Sequence, residues 1–166
     1  MRNAPSLLAL ALIALAACGG QSAGGQTSAA SATTPTAPFF ERTTAVIETD
    51  VGRVELDVEV ADTDERRQFG LMFRETLPRD AGMVFLYTEN QTGGFWMKNT
   101  LIPLSIAFWD DRGRIVRILD MDPCRADPCP LYEPTVTYRG ALEVNQGAFR
   151  RWSVEEGDRI IVKVAR

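Results

Sequence analysis

Gly52-Arg53-Val54-Glu55-Leu56-Asp57-Val58-Glu59-Val60-Ala61 is the stretch whose reading decides the fold. Val54, Leu56, Val58 and Val60 alternate with Arg53, Glu55, Asp57 and Glu59. Period-two alternation puts one set of side chains on each face, which is the pattern of a half-buried β-strand. Thr44 to Thr49 before it is β-prone, and Asp50-Val51-Gly52 can turn the chain, so the two segments predict a hairpin.

Downstream, the same reading predicts strands over 83–87, 95–100, 104–109, 114–119, 136–144 and 160–165. Asp110-Asp111-Arg112-Gly113 and Glu155-Glu156-Gly157-Asp158 supply turns between them. Only 61–72 reads differently. Asp62 or Thr63 can cap a first turn, acidic residues follow, and Glu65, Phe69 and Met72 share a side at helical spacing. Two to three helical turns are expected there. The fold class is therefore mainly β, a sandwich or jelly-roll-like barrel with one or two short helices.

The N-terminus reads as an address. Met1 to Ser6 carries one positive side chain, Arg2, and Leu7 to Ala17 is an apolar run too short to span a bilayer. This is the pattern of a secretory signal peptide. Leu15-Ala16-Ala17-Cys18-Gly19 then resembles the lipobox of bacterial lipoproteins, where a new N-terminal cysteine receives the lipid. Residues 19–38 carry no charge and are rich in Gly, Ser, Thr and Ala, a composition that cannot offset its ordering entropy by burial. The expected organisation is a signal peptide over 1–17, a lipidated flexible tether over 18–38 and one mainly-β domain over 39–166. The expected location is the extracytoplasmic face of a membrane, reached through the lipid on Cys18. In a Gram-negative source, Gly19 after the cysteine fits the outer membrane, facing the periplasm.

Without Arg2 the balance is 17 basic against 22 acidic residues, and no run of Lys or Arg forms a basic patch, so nucleic acid is not an expected partner. With Cys18 assigned to the lipid, Cys124 and Cys129 remain as a pair, held by Pro123, Pro128 and Pro130 in a short loop. An oxidising compartment favours a disulfide between them. A half zinc site is the rival, but the chain has no histidine and no further cysteine to complete it.

Several pieces together resemble domain-of-unknown-function family 192. They are Asp62-Thr63 with Arg66, Gly70-Leu71-Met72-Phe73-Arg74, Leu77-Pro78, Gly82-Met83-Val84-Phe85 and Phe95 to Leu104 with its Trp96-Met97-Lys98-Asn99-Thr100 core. The cysteine loop ending at Tyr132, Leu142-Glu143-Val144-Asn145 with Gly147, and Gly157-Asp158 complete the set. The resemblance runs from about Val54 to Val164. It implies a compact, mainly-β fold with a short helix and implies no reaction. Where the family carries an acidic residue after Pro103-Leu104, this chain has Ser105.

The absence of histidine removes the commonest general base and the usual triads. The remaining candidates for ligand binding are Arg74, Trp96, Lys98, Asn99, Glu143 and Asn145. On a strand, Trp96, Lys98 and Thr100 would share one face, and Lys98 with Asn99 could bind a polar or anionic ligand beside Trp96. The structural alternative is that Asn99 and Thr100 close a turn while Lys98 snorkels over the core. Glu143 lies in an otherwise apolar strand, and an ion pair with Arg74 at the end of the helix would satisfy it. Met72, Met83 and Met97 are thioethers suited to Cu(I), and equally to filling a core. The first functional reading is a tethered envelope domain that binds a small ligand, a cell-wall component or a protein partner without catalysis and without a cofactor. The alternatives are a hydrolase or transferase on envelope carbohydrate or ester, using carboxylate and lysine chemistry, and Cu(I) binding by the methionines.

Overall fold

A computed structural model describes residues 36–163. The expected signal peptide, Cys18 and most of the expected tether therefore lie outside the described residues. The strands are β1 (Glu41–Thr49), β2 (Gly52–Ala61), β3 (Ala81–Gln91), β4 (Phe95–Trp96), β5 (Leu104–Trp109), β6 (Ile115–Met121), β7 (Leu131–Tyr132), β8 (Tyr138–Asn145) and β9 (Arg159–Val162). Two short helices, α1 (Asp64–Phe69) and α2 (Ala148–Arg151), complete the inventory.

Seven strands form one sheet in the order β6-β5-β8-β3-β2-β1-β9. The alternating stretch is β2, paired as expected with β1 in a hairpin. Its other neighbour, β3, runs parallel to it, so the sheet is mixed. The two edges meet: Arg114 bridges Arg159, Ile115 N–H donates to Asp158 O at 2.8 Å, and Ile160 N–H donates to Gly113 O at 2.8 Å. That contact joins the start of β6 to the start of β9, while the rest of β6 has no strand partner on that side among the described residues.

Burial follows from that closure. Every one of the seven strands sends residues into a single inner core, among them Ile47, Leu56, Val58, Val84, Trp109, Ile115, Leu142 and Ile160, with Phe149 of α2 plugging it. The polar alternates Glu55 and Asp57 of β2 face solvent, which is why that strand alternates so clearly. The outer face of β3, β8 and β5 is instead covered by a second layer. That layer brings in Leu71, Phe95, Met97 and Tyr132 against Met83, Phe85, Ile106, Phe108 and Ala141. All six residues of β5 are buried as a result. A strand covered on both faces has no reason to alternate.

Two expectations need correction. The helix over 61–72 is only Asp64–Phe69. Thr63 caps it as expected, but Gly70 at φ 49° ends it, and Met72 and Arg74 lie beyond it. The strand over 95–100 stops at Trp96 because Asn99 takes the left-handed region at φ 57° and Thr100 N–H closes a turn on Met97 O. The strand-face argument that grouped Trp96 with Lys98 and Thr100 therefore does not hold, and the turn alternative describes the backbone.

Gly140 of β8 lies opposite Trp109 of β5, and a Cβ there would fall 2.3 Å from the indole. Gly140→Ala is expected to destabilise the domain by about 1–3 kcal/mol through overpacking. Urea unfolding should show a lower midpoint with an unchanged slope.

Candidate functional site

The ladder sets a row of outward side chains across the sheet. Glu59 of β2 is opposite Met83 of β3, Met83 is opposite Glu143 of β8, and Glu143 is opposite Ile106 of β5. Two acids thus flank one methionine, two strands or about 10 Å apart. Arg74 pairs with Glu59, not with the Glu143 expected to receive it. The reason lies in the turn after α1. Phe73 adopts φ 61° with its N–H on Asn99 O at 2.8 Å, and Arg74 emerges beside β2.

Glu143 is therefore alone. It is 4% exposed and joins none of the ion pairs among the described residues. Desolvation disfavours its charged form and pushes its pKa up to about 8. At neutral pH the side chain is mainly a carboxylic acid, able to donate as well as accept a hydrogen bond.

A cavity of about 30 Å³ opens onto it, walled by Gly70, Leu71, Met72, Phe85, Phe95, Trp96 and Thr100. That is room for about two water-sized groups. A wider groove of about 340 Å³, lined by Asp64, Arg67, Gln68, Tyr87, Gly94, Phe95 and Trp96, adjoins it. Arg67, Gln68, Phe95 and Trp96 belong to both walls. Phe95 is fixed edge-on between Phe85 at 5.0 Å and Phe108 at 5.5 Å, whereas Trp96 is half exposed. Arg67 is committed to structure: it donates to Asp62 O at 2.6 Å and Leu86 O at 2.8 Å, pairs with Asp64, and lies over the Tyr87 ring.

The cysteine loop buttresses the Trp96 wall. Cys124 and Cys129 are bridged by a disulfide, so their sulfurs are not metal ligands. Cys124 N–H donates to Met97 O at 3.4 Å, β4 pairs with β7 through Phe95–Tyr132 and Trp96–Leu131, and Tyr132 closes on the Asp122 backbone. Lys98 reaches Asp127 at 3.3 Å and lies 5.9 Å over the Trp96 ring. Its ammonium thus ties the two loops together.

The sequence candidates separate accordingly. Trp96 and Glu143 meet at the cavity. Lys98 supports the wall from behind. Asn99 contacts the Met72 sulfur at 3.9 Å, and Asn145 donates to the Leu77 and Pro78 carbonyls at 3.0 and 3.1 Å, fastening the loop before β3. Met83 and Met97 are fully buried in the outer core, while Met72 lies at the cavity wall. Phe95, Thr100, Gln68 and Tyr87 were not among the candidates, and nothing in their local spacing marks them. Ser105 has a carboxylate beside it after all: Asp120, directly across the ladder, accepts from its hydroxyl at 2.5 Å and is held by Arg150 at 2.6 Å.

The chain belongs to domain-of-unknown-function family 192, described as uncharacterized ACR, whose model matches residues 45–162. Two solved structures are similar. One, a protein of Sinorhizobium meliloti 1021 named as a transcription regulator, is 29% identical over 75% of this chain and 96% of its own, with a TM-score of 0.70. The other, a protein of unknown function from Novosphingobium aromaticivorans DSM 12444, is 29% identical over 83% of this chain and 99% of its own, with a TM-score of 0.69. No curated protein matches the chain.

Burial of Glu143 predicts a pH signature. An unfolded glutamate ionises near its ordinary 4.5, whereas the folded one holds its proton to about 8. Between those values the unfolded chain binds fewer protons, so stability falls as pH rises and levels off above about 8. The slope from this group is at most about 1.4 kcal/mol per pH unit. Glu143→Gln should remove that slope and raise Tm at pH 7, measured by thermal unfolding across the window.

Proposed function

We propose that this chain is an envelope lipoprotein, cleaved before Cys18 and acylated there, whose tethered domain binds a neutral, hydroxyl-rich ligand of the carbohydrate class. The observation that carries the ligand class is a carboxylic acid kept neutral at the floor of a cavity beside a half-exposed tryptophan. Aromatic faces take the apolar face of a sugar ring, and a small number of placed polar groups fix its orientation. Trp96 offers the face, and Gln68, Thr100 and Glu143 offer donors and acceptors. A neutral floor suits a hydroxyl better than an anion. The cell-wall glycan is the material of this kind that a tethered envelope domain would meet.

The site is read as one that binds without turnover. Glycoside cleavage uses paired carboxyl groups on either side of the bond. The inner cavity is lined by one, Glu143; the adjoining groove adds Asp64, which is paired with Arg67, and Lys98 lines neither space. The regulator name of the Sinorhizobium protein is not carried over, because this chain has an acidic balance and no run of basic residues.

Soluble β-1,4-linked N-acetylglucosamine oligomers are the probe, followed by tryptophan fluorescence and amide shifts on the full-length chain. Saturable binding is expected with no consumption of the oligomer. Trp96→Ala should weaken it by at least about tenfold, and Glu143→Leu should do the same. Glu143→Gln should stay within about threefold of the parent, because an amide replaces a neutral acid. No saturation at millimolar oligomer, or full affinity after Trp96→Ala, would overturn the reading.

A further inference from the structure

The seam that closes the barrel carries a second recess, remote in the ladder from Glu143. It has a volume of about 350 Å³ and is lined by Asp110, Arg112, Arg114 and Arg159. The β5–β6 turn supplies the first three and the start of β9 the last, and the bridge between Arg114 and Arg159 joins the two segments. Three arginines therefore line one recess in a chain whose net charge is −4.

Their backbone contacts hold them without neutralising them. Arg114 donates one Nη to Gly157 O at 2.7 Å. Arg159 donates Nε and Nη2 to Arg112 O at 3.1 and 3.0 Å. No hydrogen bond of the Arg112 side chain occurs among the described residues, and none of the ion pairs there includes any of the three. A guanidinium carries five donors, so each retains several for a ligand.

The carboxylates of the surrounding segments form no ion pair with them among the described residues. Asp110 Oδ1 accepts the N–H groups of Arg112 and Arg114, both at 2.9 Å, and shapes the turn. Glu156 faces Arg117 and the Ile118 amide, and Asp158 accepts the Glu155 amide at 2.8 Å. Glu48 lies opposite Arg159 in the ladder, yet its carboxylate goes to Arg53 at 3.2 Å. Asp110 offsets one of the three positive charges, and an oxyanion seated among the arginines would offset the excess that remains. Guanidinium forks match phosphate oxygens two at a time, which a point charge does not.

We propose that this recess is an anion site that takes a phosphate group, carried either by a soluble phosphate ester or by a phospholipid headgroup. Inorganic pyrophosphate serves as the soluble probe for the full-length chain at low salt. Vesicles of phosphatidylcholine, with and without phosphatidylglycerol, serve as the membrane probe. Saturable amide shifts confined to 110–114 and 157–159, or stronger binding to the phosphatidylglycerol vesicles, support the site and distinguish its two sources. Arg112→Ala removes a side chain with no described hydrogen bond, so Tm should hold while affinity drops at least about tenfold. Arg159→Ala should repeat the loss. The proposal is overturned if neither probe binds, or if both variants bind as the parent does.

Discussion

A carboxyl group held out of water on a strand covered on both faces is the constraint around which this domain is arranged. Burying an ionised carboxylate without a partner is far costlier than burying a neutral acid. Glu143 meets that constraint by keeping its proton, because Arg74 is spent on Glu59 two strands away. β8 lies between β5 and β3 in the sheet, and the outer layer of α1, β4 and the cysteine loop shuts the second face of the strand. The small cavity is what remains between that layer and the sheet.

The layer is assembled from short, irregular pieces fastened by specific contacts. The disulfide, the β4–β7 pair, the Lys98–Asp127 contact and the Asn145 bonds to the 77–78 carbonyls hold loops whose own backbone is not regular. Lys98–Asp127 is largely exposed, and such pairs contribute little stability by themselves. Its effect is to place the loop that backs Trp96. Several family motif residues thus act as fasteners around the cavity, and Trp96, Glu143 and Met72 are the sequence candidates that line it.

Strands exposed on one face were legible because alternation records a single buried side, as Val54 to Val60 shows. The span 104–109 was legible because the 110–113 turn separates it from 114–119. What could not be read was long-range. Periodicity says nothing of the parallel pairing of β2 with β3 or of the closure at Arg114 and Arg159. The 95–100 segment misled because its residues are β-prone while one of them, Asn99, sits at φ 57°. Glu143 stood out as an acid in an apolar strand, but its supposed partner depended on where the chain turned after Gly70. The arginine recess was invisible for the same reason, since its members come from opposite ends of the sheet order.

The central claim is that Glu143 is a neutral acid lining the small inner cavity. Its side-chain carboxyl carbon, followed by NMR as pH is raised, reports the ionisation of that one group. The account predicts a midpoint near 8, with the change transmitted to the Trp96 and Thr100 amides. A midpoint in the ordinary carboxylate range, near 4.5, would contradict it.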